Sequence, residues 1–349
     1  MNKPNKSRII WLDIARGICI ICMIMVHAFE WSRRAYWFTT ATGYWFLVFF
    51  FLCSGICFSN KHSLKDYIVV KFKKLYLPYL LVTTTYLLYR VQTGLWWDYS
   101  NASKVKSLLT TIMYSLSIDI QFDTTSQLST IGVGPIWFLP CLFVAGILYK
   151  LLYNAKGKLP ICIALACIAA YSQKHITLPF LLQDACIGCM FIAIGDSLKE
   201  YIFKFINWLN KLHVIVITIL CTLSFILYYF IVTHLPYQII NLGGNTYSIC
   251  SLISSLLGFL FLIILSIIVE KTRILDEFLA FCGKETLLIV ILHTFDILIL
   301  RNWSMRDNSF LVGTILLYTF TVYFYRKIQT NIKEKLIPLF ATYKNRLPR

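Results

Sequence analysis

Ten stretches of this chain are apolar for long enough to cross a lipid bilayer, and no other feature constrains its fold as tightly. A helix rises about 1.5 Å per residue, so roughly 17–25 apolar residues traverse the hydrocarbon core. The stretches fall at 9–29, 42–59, 75–91, 135–153, 159–174, 177–197, 212–233, 247–269, 280–300 and 309–326. Most carry no polar face, which the helices of a soluble core would need. Hydrophobic residues make up 58% of the 349, against about 45–50% in a soluble domain. The expected fold is all-α: one polytopic transmembrane helical bundle over residues 1–349, with no soluble domain, no fixed-period repeat and no low-complexity tract. The stretch 105–120 is apolar but broken by Ser and Thr. It reads as an interfacial or re-entrant segment within the long loop 92–134.

The charges orient this bundle. With a cytoplasmic N-terminus, 24 of the 33 Lys and Arg fall on the cytoplasmic side and eight on the other, Arg16 lying inside a span. That asymmetry is the positive-inside pattern, and it places both termini in the cytoplasm. It also accounts for the net charge of +17 without a nucleic-acid partner. The implied partner is the bilayer, with Trp96 and Trp97 as interface anchors. The first stretch has no small-residue cleavage site and holds charges of its own, so it is expected to remain a span and not a signal peptide. Cys19-x-x-Cys22 and Cys186-x-x-Cys189 have metal-like spacing. Both lie on intramembrane helices without a nearby His or Cys cluster, so they read as small buried hydrophobes, and no metal is expected.

Within the first span, Asp13, Arg16 and His27 are expensive in hydrocarbon, at least about 2.5–3.5 kcal/mol for an Asp or Arg at mid-membrane. Arg16 and His27 are eleven residues apart, which is about three turns plus 20° of helix and roughly 16 Å of rise. They share one face, and Asp13 lies one turn before Arg16. Asp13 and Arg16 alone fit an ion pair between helices as well as they fit a functional site; the aligned histidine favours function. Asp184 stands alone in the middle of the sixth span and His293 within the ninth. Both are functional candidates by position, or hydrogen-bonded packing. Glu285 and Asp296, nearer the ends of the ninth span, read as interfacial.

Asp13-x-x-Arg16-Gly17 followed by His27 resembles the opening of the acyltransferase-3 family of membrane O-acyltransferases, where an Arg-x10-His motif begins the first helix. "FFFLCSGICFS" (49–59) is similar to the family's second helix, and "KFKKLYLPYL" (71–80) to the basic stretch before the third. "IWFLPCLF" (136–143), "LLQDACIGCMFIAIGDSLK" (181–199) and "FCGKETLLIVILH" (281–293) resemble later helices of the branch that includes fucose O-acetylase-like proteins. Lys71, Lys73 and Lys74 stand where the family often carries arginines; they keep the charge and lose the bidentate fork.

The resemblance implies a multi-pass enzyme of the cytoplasmic or inner membrane of a bacterium. It would move an acyl group, acetyl by expectation, from cytoplasmic acetyl-CoA (acyl-CoA) to a hydroxyl of an extracytoplasmic or lipid-linked glycan. His27 would be the general base, since a hydroxyl needs a base whose pKa lies near ambient pH. Asp13, Arg16, Lys71, Lys73 and Lys74 would hold the polyanionic end of CoA. The lysines also fit plain topology-setting charge. Trp137, Asp184, Asn245, Tyr247 and His293 are candidates for the acceptor side. A secondary transporter or flippase for a sugar-derived solute is the alternative, since polar residues inside spans also mark substrate routes. No paired Gly/Pro-broken helices in two matching halves support it. Acceptor identity and oligomeric state stay open.

Overall fold

The computed structural model describes residues 9–30, 45–93, 101–115, 120–123, 128–173, 175–234, 241–242, 245–246, 249–298 and 311–344. The elements are α1 (Ile10–Glu30), α2 (Trp45–Ile56), α3 (Leu64–Lys71), a π turn (Phe72–Tyr76) leading into α4 (Leu77–Gln92), and α5 (Asn101–Tyr114). A 3-10 turn (Gly134–Trp137) precedes α6 (Phe138–Leu152); then come α7 (Lys158–Ser172), α8 (Leu182–Leu209), α9 (Val214–His234) and α10 (Ile249–Thr272). The chain closes with α11 (Asp276–Lys284), α12 (Thr286–Leu298) and α13 (Leu311–Lys344). Two short antiparallel hairpins, β1 (Ile120–Asp123) with β2 (Leu128–Thr130) and β3 (Asn241–Leu242) with β4 (Asn245–Thr246), interrupt an otherwise helical protein.

A helix occupies each of the ten expected stretches. Among the described residues five helices are long and apolar enough to cross a membrane, and a bent pair makes six. The outer faces agree with a lipid surround. On α9, Ile215, Ile219, Leu223, Ile226 and Phe230 are each more than half exposed. On α5 the polarity is inverted: Ser107 and Thr111 are buried, while Val105, Leu109 and Met113 face outward. Thr111 accepts the Ile131 N–H at 2.9 Å, and Ser115, just past α5, donates to the Tyr79 hydroxyl at 2.7 Å. Hydroxyls that hydrogen-bond inside the protein, with apolar side chains outside, suit a helix bathed in lipid.

Three expectations about span shape are corrected. The ninth stretch is not one helix. α11 and α12 meet at Glu285 with a bend of 75°. The sixth and tenth continue beyond 197 and 326, to Leu209 and Lys344. On α8 the reason is legible. Asp196 receives Tyr149 Oη at 2.5 Å, Lys158 Nζ at 2.8 Å and Lys199 Nζ at 2.8 Å. With that carboxylate matched, the helix carries on with Ile202, Ile206 and Leu209 buried at helical spacing.

Glycines set the two tightest crossings. A Cβ on Gly17 would lie 1.9 Å from the Leu279 carbonyl oxygen, and one on Gly283 1.8 Å from that of Asp13. So α1 and α11 touch backbone to backbone. α2 and α8 meet the same way, with Gly55 against Ile192 and Gly195 against Leu52. Without a hydrophobic force between helices in lipid, such small-residue contacts carry the association through van der Waals packing. They leave α2 almost wholly buried at the centre of the bundle.

Candidate active site

The polar residues of α1 open onto two different places. Near its start, Asp13 is buried and Arg16 lies 3.6 Å from its carboxylate. The Cys53 side chain near the end of α2 and that of Cys57 just past it lie close to the Arg16 guanidinium. Lys71, at the end of α3, belongs to the same neighbourhood, half-buried with its Nζ 5.6 Å over the Tyr67 ring. Burial pushes its ammonium below the ordinary lysine range, and the charges of Lys74 and Arg16 push it further. Lys73 and Lys74, in the π turn, are exposed. The fold thus gathers Arg16, Lys71 and Lys74 into one cationic group, built from α1 and the α3–α4 junction, with Asp13 paired to Arg16 at its edge.

Eleven residues on, roughly 16 Å along the helix, His27 meets α12. Its ring centroid is 5.5 Å from that of His293, with the planes inclined by 41°. His27 is half-buried and His293 is 2% exposed. Neither ring nitrogen of His293 has a hydrogen-bond partner among the described residues. Behind it, the Tyr318 ring of α13 stands edge-on at 6.1 Å, and the Tyr318 hydroxyl donates a hydrogen bond to Asp296, one turn after His293. The 3-10 turn ending at Trp137 packs on α12 as well, and Trp137 is itself buried. That places Trp137 in the wall beside the histidine helix and not in an exposed aromatic belt.

Other expected site residues lie elsewhere. Asp184 is not in the middle of its span. It occupies the first turn of α8, because that helix begins at Leu182, and it accepts Gln173 Nε2 at 2.8 Å from the end of α7. Its neighbours are on α7 and α6, whereas the histidine pair is built from α1, α12 and α13. Asp296 and Glu285 are buried within the bundle: Asp296 is held by Tyr318, and Glu285, at the bend, is held by Arg326. Asn245 lies on β4 of the second hairpin; Tyr247, Trp96 and Trp97 lie outside the described residues. Cys189 rests 3.6 Å from Cys162 of α7, sulfur to sulfur. The partners that sequence reasoning missed are Tyr318 and the Asp196 network. An isolated Tyr in an apolar helix gives no signal of its own, and Lys158 and Lys199 counted only as loop charges.

Fold and site together define a multi-pass integral membrane protein with a cationic group near one end of α1 and, near the other, His27 facing the buried His293 of α12. Residues 9–325 match the family model described as an acyltransferase domain, acyltransferase-3. The chain belongs to that family and is a membrane acyltransferase. No curated protein and no solved structure matches it.

Proposed function

We propose that this membrane acyltransferase is an O-acetyltransferase, moving an acetyl group from cytoplasmic acyl-CoA to a hydroxyl of an extracytoplasmic or lipid-linked glycan. The observation that carries the reading is the arrangement along α1: cations at one end, and at the other a histidine facing a second, buried histidine. The CoA phosphates would lie against Arg16, Lys71 and Lys74, where charge-assisted hydrogen bonds are strongest. The extended pantetheine arm can span the roughly 16 Å to His27.

In the reaction, the acceptor hydroxyl gives its proton to His27 as its oxygen bonds to the thioester carbon. The tetrahedral adduct then collapses, the carbon–sulfur bond breaks, and the proton returns from His27 to the leaving thiolate. The buried wall of α12 and Trp137 limits competition from water. Asp13 restrains the Arg16 guanidinium.

Purified protein in lipid nanodiscs, given radiolabelled acetyl-CoA and a membrane glycan fraction, tests this. Base-labile label on glycan, with free CoA released in equal amount, is the expected result. Solute movement without ester formation, or no consumption of acetyl-CoA, overturns it.

A further inference from the structure

We infer that His293 is the oxyanion donor of this site. Its ring N–H would receive the thioester carbonyl oxygen as that oxygen becomes anionic, while His27 takes the acceptor's proton. The inference rests on the acyl-transfer reading above and assigns the second histidine a chemical role in it.

Three observations carry it. The first is the unmet hydrogen-bonding capacity of His293, which is 2% exposed with both ring nitrogens unpartnered among the described residues. Buried polar groups are nearly always paired, so an orphan imidazole facing a reactive partner is an unused donor. It gains most from a ligand atom that turns into an anion, because a hydrogen bond to a charged acceptor is about twice as strong as a neutral one. That gain is largest in the tetrahedral adduct, which is where a donor accelerates reaction.

The second observation is the unequal burial of the two rings. A general base must become a cation during the reaction; an oxyanion donor stays neutral throughout. His27 is half-buried and His293 is enclosed. Two imidazolium ions with centroids 5.5 Å apart would repel strongly in a membrane interior. Protonation of His27 therefore keeps His293 neutral, with one N–H and one bare nitrogen. At that separation the rings are neighbours, so a reacting centre lying across their edges can reach a nitrogen of each.

The third is the Tyr318–Asp296 bond. Asp296 stands three residues after His293 on α12, where a carboxylate would otherwise be the natural acceptor for the imidazole N–H. Tyr318 holds Asp296 with its own hydroxyl while its ring backs His293, and neither His293 nitrogen bonds that carboxylate. The donor is thus left for substrate. Tyr318 is a positioning residue in this scheme and touches no reacting atom.

The test compares acetyl-CoA hydrolysis, with water as acceptor, and transfer to glycan in nanodisc-held protein. Removing an oxyanion donor typically costs about 10²–10³-fold in kcat. His293→Ala is expected to lose that much in both reactions with the acceptor KM unchanged. His293→Gln, which keeps an N–H, is expected to recover about tenfold or more. Tyr318→Phe is expected to lower kcat in both reactions without raising either KM. CoA binding to each variant, measured separately, establishes that it is folded. A rise in acceptor KM alone in His293→Ala, with hydrolysis untouched, overturns the assignment and makes His293 an acceptor-binding residue. So does a folded His293→Gln no faster than His293→Ala. A wild-type protein that turns over no acetyl-CoA fails at the earlier step and overturns the acyl-transfer reading itself, and this inference with it.

Discussion

Glu285 receives both Nε and an Nη of Arg326, at 2.8 and 2.6 Å, and so ties the bend between α11 and α12 to α13. The carboxylate is buried and the guanidinium still meets solvent. Arg326→Leu leaves a buried carboxylate without its cation and is expected to cost about 1–2 kcal/mol, less than a fully buried pair because of that solvent contact. Thermal unfolding of the detergent-solubilised protein should fall by a few degrees. The charge swap Glu285→Arg with Arg326→Glu should recover part of the loss. Equal melting of Arg326→Leu and wild type would mean that the bend stands without the pair.

Gly17 and Gly283 have no room for a methyl group. A Cβ at either would come within 1.9 Å of a backbone oxygen on the other helix, so Gly17→Ala must force α1 and α11 apart. Overpacking of this kind costs about 1–3 kcal/mol. The change should also lower activity, since α1 carries His27. A Gly17→Ala protein with normal melting and normal turnover would show that this crossing gives way freely.

His27 is the proposed base. General-base catalysis is worth about 10²–10⁴-fold, so His27→Ala should lose that much in kcat while acyl-CoA binding persists. His27→Gln keeps hydrogen-bonding groups but cannot take a proton, and should be nearly as slow. Retention of most activity in His27→Gln would move the base elsewhere.

The cationic group should act on the donor substrate alone. Neutralising Lys71 and Lys74 together is expected to raise the KM for acetyl-CoA about 10–100-fold, at roughly 1.5–3 kcal/mol for hydrogen bonds to charged groups, with the acceptor KM little changed. Arg16→Lys should already be impaired, because it loses the planar fork. An unaltered acetyl-CoA KM in the double variant would leave the lysines as topology signals.

The pH dependence follows from Lys71. Burial, then Lys74 and Arg16, lower its pKa in the free protein. A bound polyanion favours the charged ammonium, so binding is strongest while Lys71 is protonated and weakens as pH rises through the lowered pKa. The KM for acetyl-CoA should climb with pH on the alkaline side. Lys71→Arg, which stays charged, should flatten that climb. Identical profiles in the two proteins would remove Lys71 from the donor site.

Much of this architecture is written in local sequence. Bilayer length and hydropathy sufficed for a helical membrane protein, because lipid imposes one uniform demand on every span and each residue answers it independently. The opening motif pointed to the family for a similar reason, since Arg16 and His27 lie on one helix whose geometry is known in advance. What hydropathy does not encode is which helix faces which. The meeting of His27 with His293, the burial of Asp296 under Tyr318, the bend at Glu285 and the place of Asp184 at the start of α8 all depend on partners distant in the chain. Those partners are chosen by backbone contacts at Gly17, Gly283, Gly55 and Gly195 and by pairs such as Glu285 with Arg326. Transfer into lipid rewards an apolar side chain equally on every face, so only the packed bundle decides which polar groups are enclosed together.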